Sequence, residues 1–176
     1  IPDYNILKED GSIDHYVPIA SQEKGSYGEH IKPGKRVAIV ITSKGCVARC
    51  TFCHRFEQGF RAIPVDAVID HLQHLISSYD VGYIGIVDEN FGSDQKTTSE
   101  LVERLGELGL PWGAGGVRTR TVSKESLQHW KDNGCEQTIY GIETGSPKML
   151  KIMEKNLTLK DNIDALKWTG EVGLDT

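Results

Sequence analysis

Three cysteines lie close together in the segment TSKGCVARCTFCHR, with the spacing Cys46-x-x-x-Cys50-x-x-Cys53. This spacing favours a cubic four-iron, four-sulfur cluster, because three neighbouring thiolates can bind three of its irons. The fourth iron then has no protein ligand and is available to bind and reduce a small molecule. The cysteines follow an apolar run, residues 37–41, that is typical of a buried strand. Since α/β folds build their active sites where strands end, the cysteines lie where chemistry is expected.

Other interpretations of the cysteines are weaker. Zinc sites usually pair Cys-x-x-Cys units and need four ligands, and His54, adjacent to Cys53, is poorly placed to complete a tetrahedron with it. A disulfide framework is disfavoured because four cysteines in 176 residues are not dense. Cys135, which follows Asn133-Gly134, is interpreted as a core cysteine rather than a ligand. A zinc-binding structural module therefore stays open as the non-enzymatic alternative.

Composition narrows the class of protein. Hydrophobic residues make up 38% of the 176 residues, which is enough for one domain with a sizeable core. The net charge of −5 argues against a nucleic-acid surface on this segment. No apolar run approaches the roughly 20 residues of a membrane span, and no signal peptide precedes the polar start. We therefore expect a cytoplasmic protein without a membrane partner, whose first residue, Ile1, and last residues indicate a cut from a longer chain.

Strand and helix patterns alternate along most of the sequence. Apolar runs predict strands at residues 37–41, 82–87, 112–117 and 137–142. Helical patterns follow each of them, with starts expected at Pro64, at a Thr97–Glu100 capping box, and at Ser123, Ser146 and Thr158. The alternation predicts an α/β fold with a parallel sheet. Residues 1–35 are rich in turn formers and predict a linker or small hairpin region ahead of a core domain at residues 36–176.

Polar residues that could bind a cofactor follow the predicted strands. They are Asp88, Glu89 and Asn90 after the second strand, Arg118 and Arg120 after the third, and Glu143 and Ser146 after the fourth. Carboxylates, a guanidinium and a helix start at one rim suit a cofactor with an ammonium, a carboxylate and a ribose. Each also has a plain structural interpretation: a solvated acidic turn, a surface ion pair for Arg118, and a helix cap for Ser146.

These motifs together resemble the catalytic core of radical S-adenosylmethionine (SAM) enzymes of the cobalamin-binding class. The strings that carry the resemblance are GCVARCTFCHRF, VDENFG, the Arg118 strand, YGIETGSPKMLKIMEK and the closing GEVGLDT. The opening IPDYN resembles the linker that follows the cobalamin domain in those proteins. The resemblance implies a partial (β/α) barrel of the radical SAM type, with about four of six strand–helix units present and an end just before strand five. The cobalamin motif of the family, Asp-x-His-x-x-Gly, is absent.

The resemblance also implies cofactors and their ligands. Cys46, Cys50 and Cys53 would hold a 4Fe-4S cluster, and SAM would chelate its open iron. Six residues are implied as SAM contacts: Phe52 near the adenine, Glu89 or Asn90 at the methionine amino group, Arg118 and Ser146 at the carboxylate, and Glu143 at the ribose or methionine moiety. Cobalamin, if used, would come from a domain outside this chain.

The implied activity is reductive cleavage of SAM to a 5′-deoxyadenosyl radical that abstracts hydrogen, leading to methylation or rearrangement of a substrate. A small molecule is favoured as substrate over nucleic acid. A methylthiotransferase acting on RNA or protein is the alternative within the same family. The implied partners are a reductant such as flavodoxin or ferredoxin, and the remaining barrel and N-terminal domain of the parent protein.

Overall fold

Strands and helices alternate from residue 36 onward in this computed structural model, which describes residues 2–20, 30–54 and 59–176. In chain order the elements are α1 (Tyr4–Glu9), α2 (Ile13–Tyr16), β1 (Arg36–Val40), β2 (Ser43–Cys46), β3 (Gly59–Ala62), α3 (Val65–Tyr79), β4 (Val81–Val87), α4 (Gln95–Glu107), β5 (Trp112–Val117), a 3-10 turn (Thr119–Thr121), α5 (Lys124–Asp132), β6 (Cys135–Tyr140), α6 (Pro147–Ile152) and α7 (Leu159–Val172). None of these helices has both the length and the apolarity needed to cross a membrane.

The main sheet has four strands in the order β1-β4-β5-β6, and every neighbouring pair is parallel. Each of these strands is therefore adjacent to the next one along the chain, as in an arc of a (β/α) barrel. This confirms the predicted α/β class and parallel sheet. Three strands match their predicted ranges within one residue, whereas β6 lies two residues earlier than predicted.

The last residues of the chain extend this sheet. Asp175 forms an isolated parallel bridge with Gln137 of β6. The Thr138 amide donates to the Asp175 carbonyl at 2.9 Å, and the Asp175 amide donates to the Glu136 carbonyl at 2.9 Å. These bonds agree with the expectation that a fifth parallel strand begins at this point.

The core lies between the sheet and the helices that cover it. In α3, apolar residues at helical spacing give one buried face, which includes Val68, Ile69, Leu72 and Leu75. Below α4 and α5, Phe91, Trp112 and Trp130 pack edge to face or tilted, with ring centroids 5.1 to 6.3 Å apart. Trp112 and Trp130 are buried and therefore serve in packing.

Two sequence-based expectations differ from the structure. Residues 2–20 of the expected linker or hairpin form α1 and α2, because Tyr4 and Val17 bury their side chains in the main core. Helix α4 is capped by Asp94, whose carboxylate accepts from the Thr97 amide, so the expected Thr97–Glu100 capping box is wrong. Helix α7 starts after Thr158 as expected and ends at Val172, with Gly173 in the left-handed conformation. The division at residue 35 itself stays a prediction.

The packing of α1 against α3 predicts a dependence on pH. The Tyr4 hydroxyl lies 2.8 Å from His71 Nε2, and burial lowers the pKa of His71 below its usual 6.5. A histidine whose folded pKa is lowered stabilises the fold fully above its unfolded pKa, and this contribution is lost as pH falls through the folded value. We expect hydrogen exchange of α1 amides to speed up, beyond the intrinsic trend, between pH 7.5 and 5.

Two variants test the origin of this effect. His71→Gln is expected to abolish the pH dependence, whereas His15→Gln, at an exposed position of α2, is expected to preserve it. An equal response of both variants would mean that another group controls the docking of α1.

Candidate functional site

The three clustered cysteines lie on the loop of a two-stranded hairpin beyond the end of β1. Strand β2 ends at Cys46, which pairs with Gly59 at the start of β3. The Ala48 amide donates to Cys46 Sγ at 3.4 Å, and the Cys53 amide donates to the Cys50 carbonyl at 3.3 Å. Residues 55–58 of this loop lie outside the described residues. The hairpin was not predicted, and it places the cysteines at the end of β2 and on the following loop rather than directly at the end of β1.

A buried carboxylate fixes the base of this hairpin. Asp88, which follows β4, accepts four hydrogen bonds, from the amides and the hydroxyls of Thr42 and Ser43, at 2.6 to 3.2 Å. All three residues are buried. Four donors are the number that satisfies an ionised carboxylate taken out of water. Asp88 therefore serves to position the cysteine hairpin, and the expectation of a solvated turn is wrong for this residue.

A glycine in β5 permits the backbone at Asp88 to lie close to the neighbouring strand. Gly116 has φ +70°, and a β-carbon there would lie 1.8 Å from the Asp88 carbonyl oxygen. No larger residue fits without moving one of the two strands. The close approach brings the residues after β4 and β5 to the same pocket.

This pocket has a volume of about 210 Å³ and collects most of the predicted site residues. Its lining includes Cys46, Cys50, Phe52, Cys53, Glu89, Gly116, Arg118, Gly141, Glu143 and Lys155. The residues therefore come from the hairpin loop and from the ends of β4, β5 and β6. This is the convergence at the carboxyl ends of parallel strands that the sequence predicts.

Four of the predicted polar residues do not line the pocket: Asp88, described above, and Asn90, Arg120 and Ser146. Asn90 is fully buried, its side-chain nitrogen donates to Ser93 Oγ at 2.7 Å, and its amide oxygen has no partner among the described residues. Ser146 caps α6, where its hydroxyl accepts from the Met149 amide. Arg120 also turns away from the pocket and donates to the Asn156 carbonyl at 3.3 Å.

A lysine that the sequence analysis did not single out lies in the pocket wall. Lys155 is 5% exposed, and its Nζ donates to Glu143 Oε1 at 2.9 Å. The same Nζ lies 5.5 Å from the ring centroid of Phe52. Arg118 donates to the Lys155 carbonyl at 2.6 Å, and its other terminal nitrogen lies 4.0 Å from Cys50 Sγ. The cations of Arg118 and Lys155 and the carboxylate of Glu143 thus line the same pocket as the thiols.

The backbone around this ion pair is strained. Glu143 has φ 61°, and Glu154 and Asn156, on either side of Lys155, have φ 48° and 52°. Left-handed backbone at residues other than glycine costs free energy and concentrates at binding sites. The pairing partner lies 12 residues away in sequence, and no local pattern marks Lys155 as buried.

The four cysteines fall into two environments. Cys46 and Cys50 are partly exposed and Cys53 is exposed, whereas Cys135 is fully buried. Burial raises the pKa of the Cys135 thiol, which donates to the Gln137 carbonyl, and this confirms its interpretation as a core cysteine. Within the described ranges, no three His, Cys, Asp or Glu side chains are already arranged around a common metal position.

Comparison with known proteins decides the family. The model of the radical SAM superfamily matches residues 40–176, which is most of the chain. The chain belongs to the radical SAM superfamily. Members of this superfamily use a 4Fe-4S cluster and SAM, so the resemblance read from the motifs is confirmed.

The radical SAM chain has relatives among methyltransferases. It is 29% identical over 163 residues to an uncharacterized methyltransferase of Pyrococcus horikoshii, covering 90% of this chain and 35% of that protein. It is 30% identical over 165 residues to cytidylyl-2-hydroxyethylphosphonate methyltransferase of Streptomyces wedmorensis, covering 91% of this chain and 31% of the relative. The chain thus spans about a third of the length of these curated relatives.

The fold is also found in a solved cobalamin-dependent enzyme. The structure of the cobalamin-dependent S-adenosylmethionine radical enzyme OxsB superposes with a TM-score of 0.68 at 21% identity, covering 80% of this chain and 23% of OxsB. At this identity the likeness establishes the fold, a partial barrel of the radical SAM type. The resemblance to the cobalamin-binding class thus extends to the arrangement of strands.

Proposed function

We propose that this chain binds a 4Fe-4S cluster through Cys46, Cys50 and Cys53 and binds SAM in the adjoining pocket, within an enzyme that methylates or rearranges a small molecule. The observation that carries the proposal is the single pocket lined by all three thiols together with Arg118, Lys155 and Glu143. When both are bound, the cluster would supply one electron to SAM, and cleavage of SAM would supply the radical that abstracts hydrogen.

The donor set fits the cluster. Three thiols on one loop are the ligands that iron–sulfur clusters require, and the pocket offers no fourth cysteine. The guanidinium of Arg118 near Cys50 adds a positive charge that favours a cluster with an anionic thiolate set. The pocket, of about 210 Å³, places the three thiols beside the polar residues proposed to contact SAM.

The polar residues have separate tasks in binding SAM. Lys155 and Arg118 carry the positive charge that a methionine carboxylate requires. Glu143 and Glu89 are acceptors for an ammonium or for ribose hydroxyls, and Glu143 is already oriented by Lys155. The exposed ring of Phe52 offers a surface on which the adenine can stack. Ser146 and Asn90 have local structural roles: Ser146 caps α6, and the buried amide of Asn90 donates to the Ser93 hydroxyl.

The proposal is tested by anaerobic reconstitution with iron and sulfide, followed by low-temperature electron paramagnetic resonance of the reduced protein with and without SAM. We expect a reduced-cluster signal that shifts when SAM is added, because SAM binds the iron without a protein ligand. A signal indifferent to SAM would contradict the proposed SAM site but leave the cluster. Zinc in place of iron by metal analysis would overturn the proposal in favour of the structural module.

Replacing Lys155 is expected to weaken SAM binding. Lys155→Met keeps most of the buried stem but removes the charge opposite Glu143 and near Phe52. Loss of a charge-assisted hydrogen bond costs about 1.5–3 kcal/mol, which corresponds to a Kd for SAM raised by about 10- to 140-fold. Isothermal titration of the reconstituted chain measures this change. Lys151→Met, at an exposed position of α6, is the matched control and is expected to leave the Kd within about twofold.

The remaining partners follow from this chemistry. An oxygen-sensitive cluster and free thiols suit the reducing cytoplasm, and a protein reductant such as flavodoxin or ferredoxin would supply the electron. Substrate contacts and any cobalamin would come from parts of the parent protein outside this chain. Activity assays of the purified longer protein with candidate small molecules would identify the substrate.

A further inference from the structure

A second and larger cavity lies against the cysteine loop. This groove, of about 1050 Å³, runs between the loop and the segments of α6 and α7. Its apolar lining includes Val47, Leu157 and Leu159. Val47 is 64% exposed, and Leu159, at the start of α7, is 37% exposed. Clustered exposed apolar side chains of this kind mark a binding surface rather than ordinary solvent-facing positions.

The groove is separated from the cysteine pocket by a single layer of chain. Cys46 and Cys50 line the pocket, Val47 and Arg49 line the groove, and Ala48 lines both. The Ala48 amide donates to Cys46 Sγ at 3.4 Å, so the wall itself is bonded to a thiol. The Thr51 amide donates to the Met153 carbonyl at 3.0 Å and ties the loop to the end of α6. A molecule seated in the groove would therefore be one residue away from a cluster held by the thiols.

The charge of the groove is opposite to that of the chain. The net charge of the chain is −5. The groove has four cationic residues, Arg49, Arg120, Lys151 and Lys160, against the acids Glu154 and Asp161. Lys160 pairs with Asp164, and Asp161 accepts hydrogen bonds from Thr158 at the start of α7. Among the described residues Arg49 and Lys151 make no ion pair, which leaves both side chains available to a partner.

We infer that this groove is the docking surface for an acidic one-electron donor protein. The inference rests on the proposed cluster, since the donor needs an acceptor behind the wall. An apolar centre with a charged rim is the usual anatomy of a protein interface, and opposite charges speed the encounter of a transient pair. One electron leaves the cofactor of the donor and reaches the cluster, and no bond is formed or broken in the chain. The groove is distinct from the pocket in which SAM is proposed to bind.

The experiment compares the chain with two charge-reversal variants, using an acidic flavodoxin as the probe. Lys151→Glu reverses a charge at the groove, and Lys32→Glu makes the same change in the turn that precedes β1, at the opposite end of the sheet. Affinity of the cluster-free chain for oxidised flavodoxin is measured from flavin fluorescence at low salt. The rate of cluster reduction by reduced flavodoxin is then measured by stopped flow, and compared with photochemical reduction by a small deazaflavin.

We expect Lys151→Glu to lower both the affinity and the flavodoxin rate by about three- to tenfold, and Lys32→Glu to change them by less than about twofold. Raising the salt concentration is expected to reduce the difference, while deazaflavin reduces all three proteins at the same rate. Equal flavodoxin rates and affinities in all three would overturn the docking surface but leave the proposed function intact. Absence of a deazaflavin-reducible cluster in the unmodified chain would overturn both.

Discussion

Replacing Cys46, Cys50 or Cys53 singly with alanine is expected to remove at least about nine-tenths of the iron that the reconstituted chain binds, because two thiolates cannot hold a cubic cluster in place of three. The structure separates these thiols clearly from the fourth. All three line one pocket between the hairpin loop and the strand ends, whereas Cys135 is buried within β6. The reduced-cluster signal and its response to SAM are expected to disappear with the iron.

Cys135→Ala is the matched control for this series. It removes a buried sulfur and is expected to cost about 1–2 kcal/mol of stability, while the iron content and the paramagnetic signal stay unchanged. Iron analysis and urea unfolding on the same preparations separate the two effects. Loss of iron from Cys135→Ala, or retention of a full cluster in Cys50→Ala, would contradict the assigned ligand set.

Most of the fold could be predicted from the sequence because its signals are local. The apolar run at residues 112–117 gives β5 with the same bounds, and Ser123 and Ser146 cap α5 and α6 as their residue types suggest. Strand β6 begins earlier than predicted, at Cys135, because that residue pairs with Trp112 across the sheet. Such a register depends on the neighbouring strand and is not visible in the apolar run alone.

The features that the sequence analysis missed depend on contacts between distant residues. The β2–β3 hairpin pairs residues across a loop of 12 positions, and its strands, Ser43–Cys46 and Gly59–Ala62, are short and glycine-containing. Lys155 becomes a site residue only because its segment folds back onto Glu143 and Phe52. The spacing of the cysteines, by contrast, is local, so the sequence alone is enough to identify the thiols that line the pocket.

The acidic segment after β4 shows how one motif divides between structure and function. Of Asp88, Glu89 and Asn90, only Glu89 is exposed to the pocket, while the residues on either side are buried. A strand that continues into a turn places successive side chains on opposite sides, so three adjacent polar residues cannot all contact one ligand. The segment therefore holds the hairpin through Asp88 and offers the pocket Glu89.

The largest loss of stability is expected from Asp88→Ala. The substitution leaves the amides and hydroxyls of Thr42 and Ser43 buried without their acceptor. Each unsatisfied buried group costs about 1–3 kcal/mol, and because water can enter the space left by the carboxylate, we expect a total of about 3–5 kcal/mol. Urea unfolding measures the free energy, and the midpoint is expected to fall while the m-value stays unchanged.

Asp94→Ala is the matched control. Asp94 also accepts hydrogen bonds from a backbone amide and a hydroxyl, both of Thr97, but it lies at the less buried start of α4. Loss of such a cap costs about 1 kcal/mol.

Asp88→Ala is further expected to lower cluster incorporation, because Thr42 and Ser43 lead directly into the strand that ends at Cys46. Asp94→Ala is expected to leave cluster incorporation unchanged. Equal losses of stability in the two variants would mean that Asp88 contributes no more to the free energy of unfolding than an ordinary helix cap does. A destabilised Asp88→Ala that still takes up the full cluster would show that the carboxylate supports the fold without positioning the cysteines.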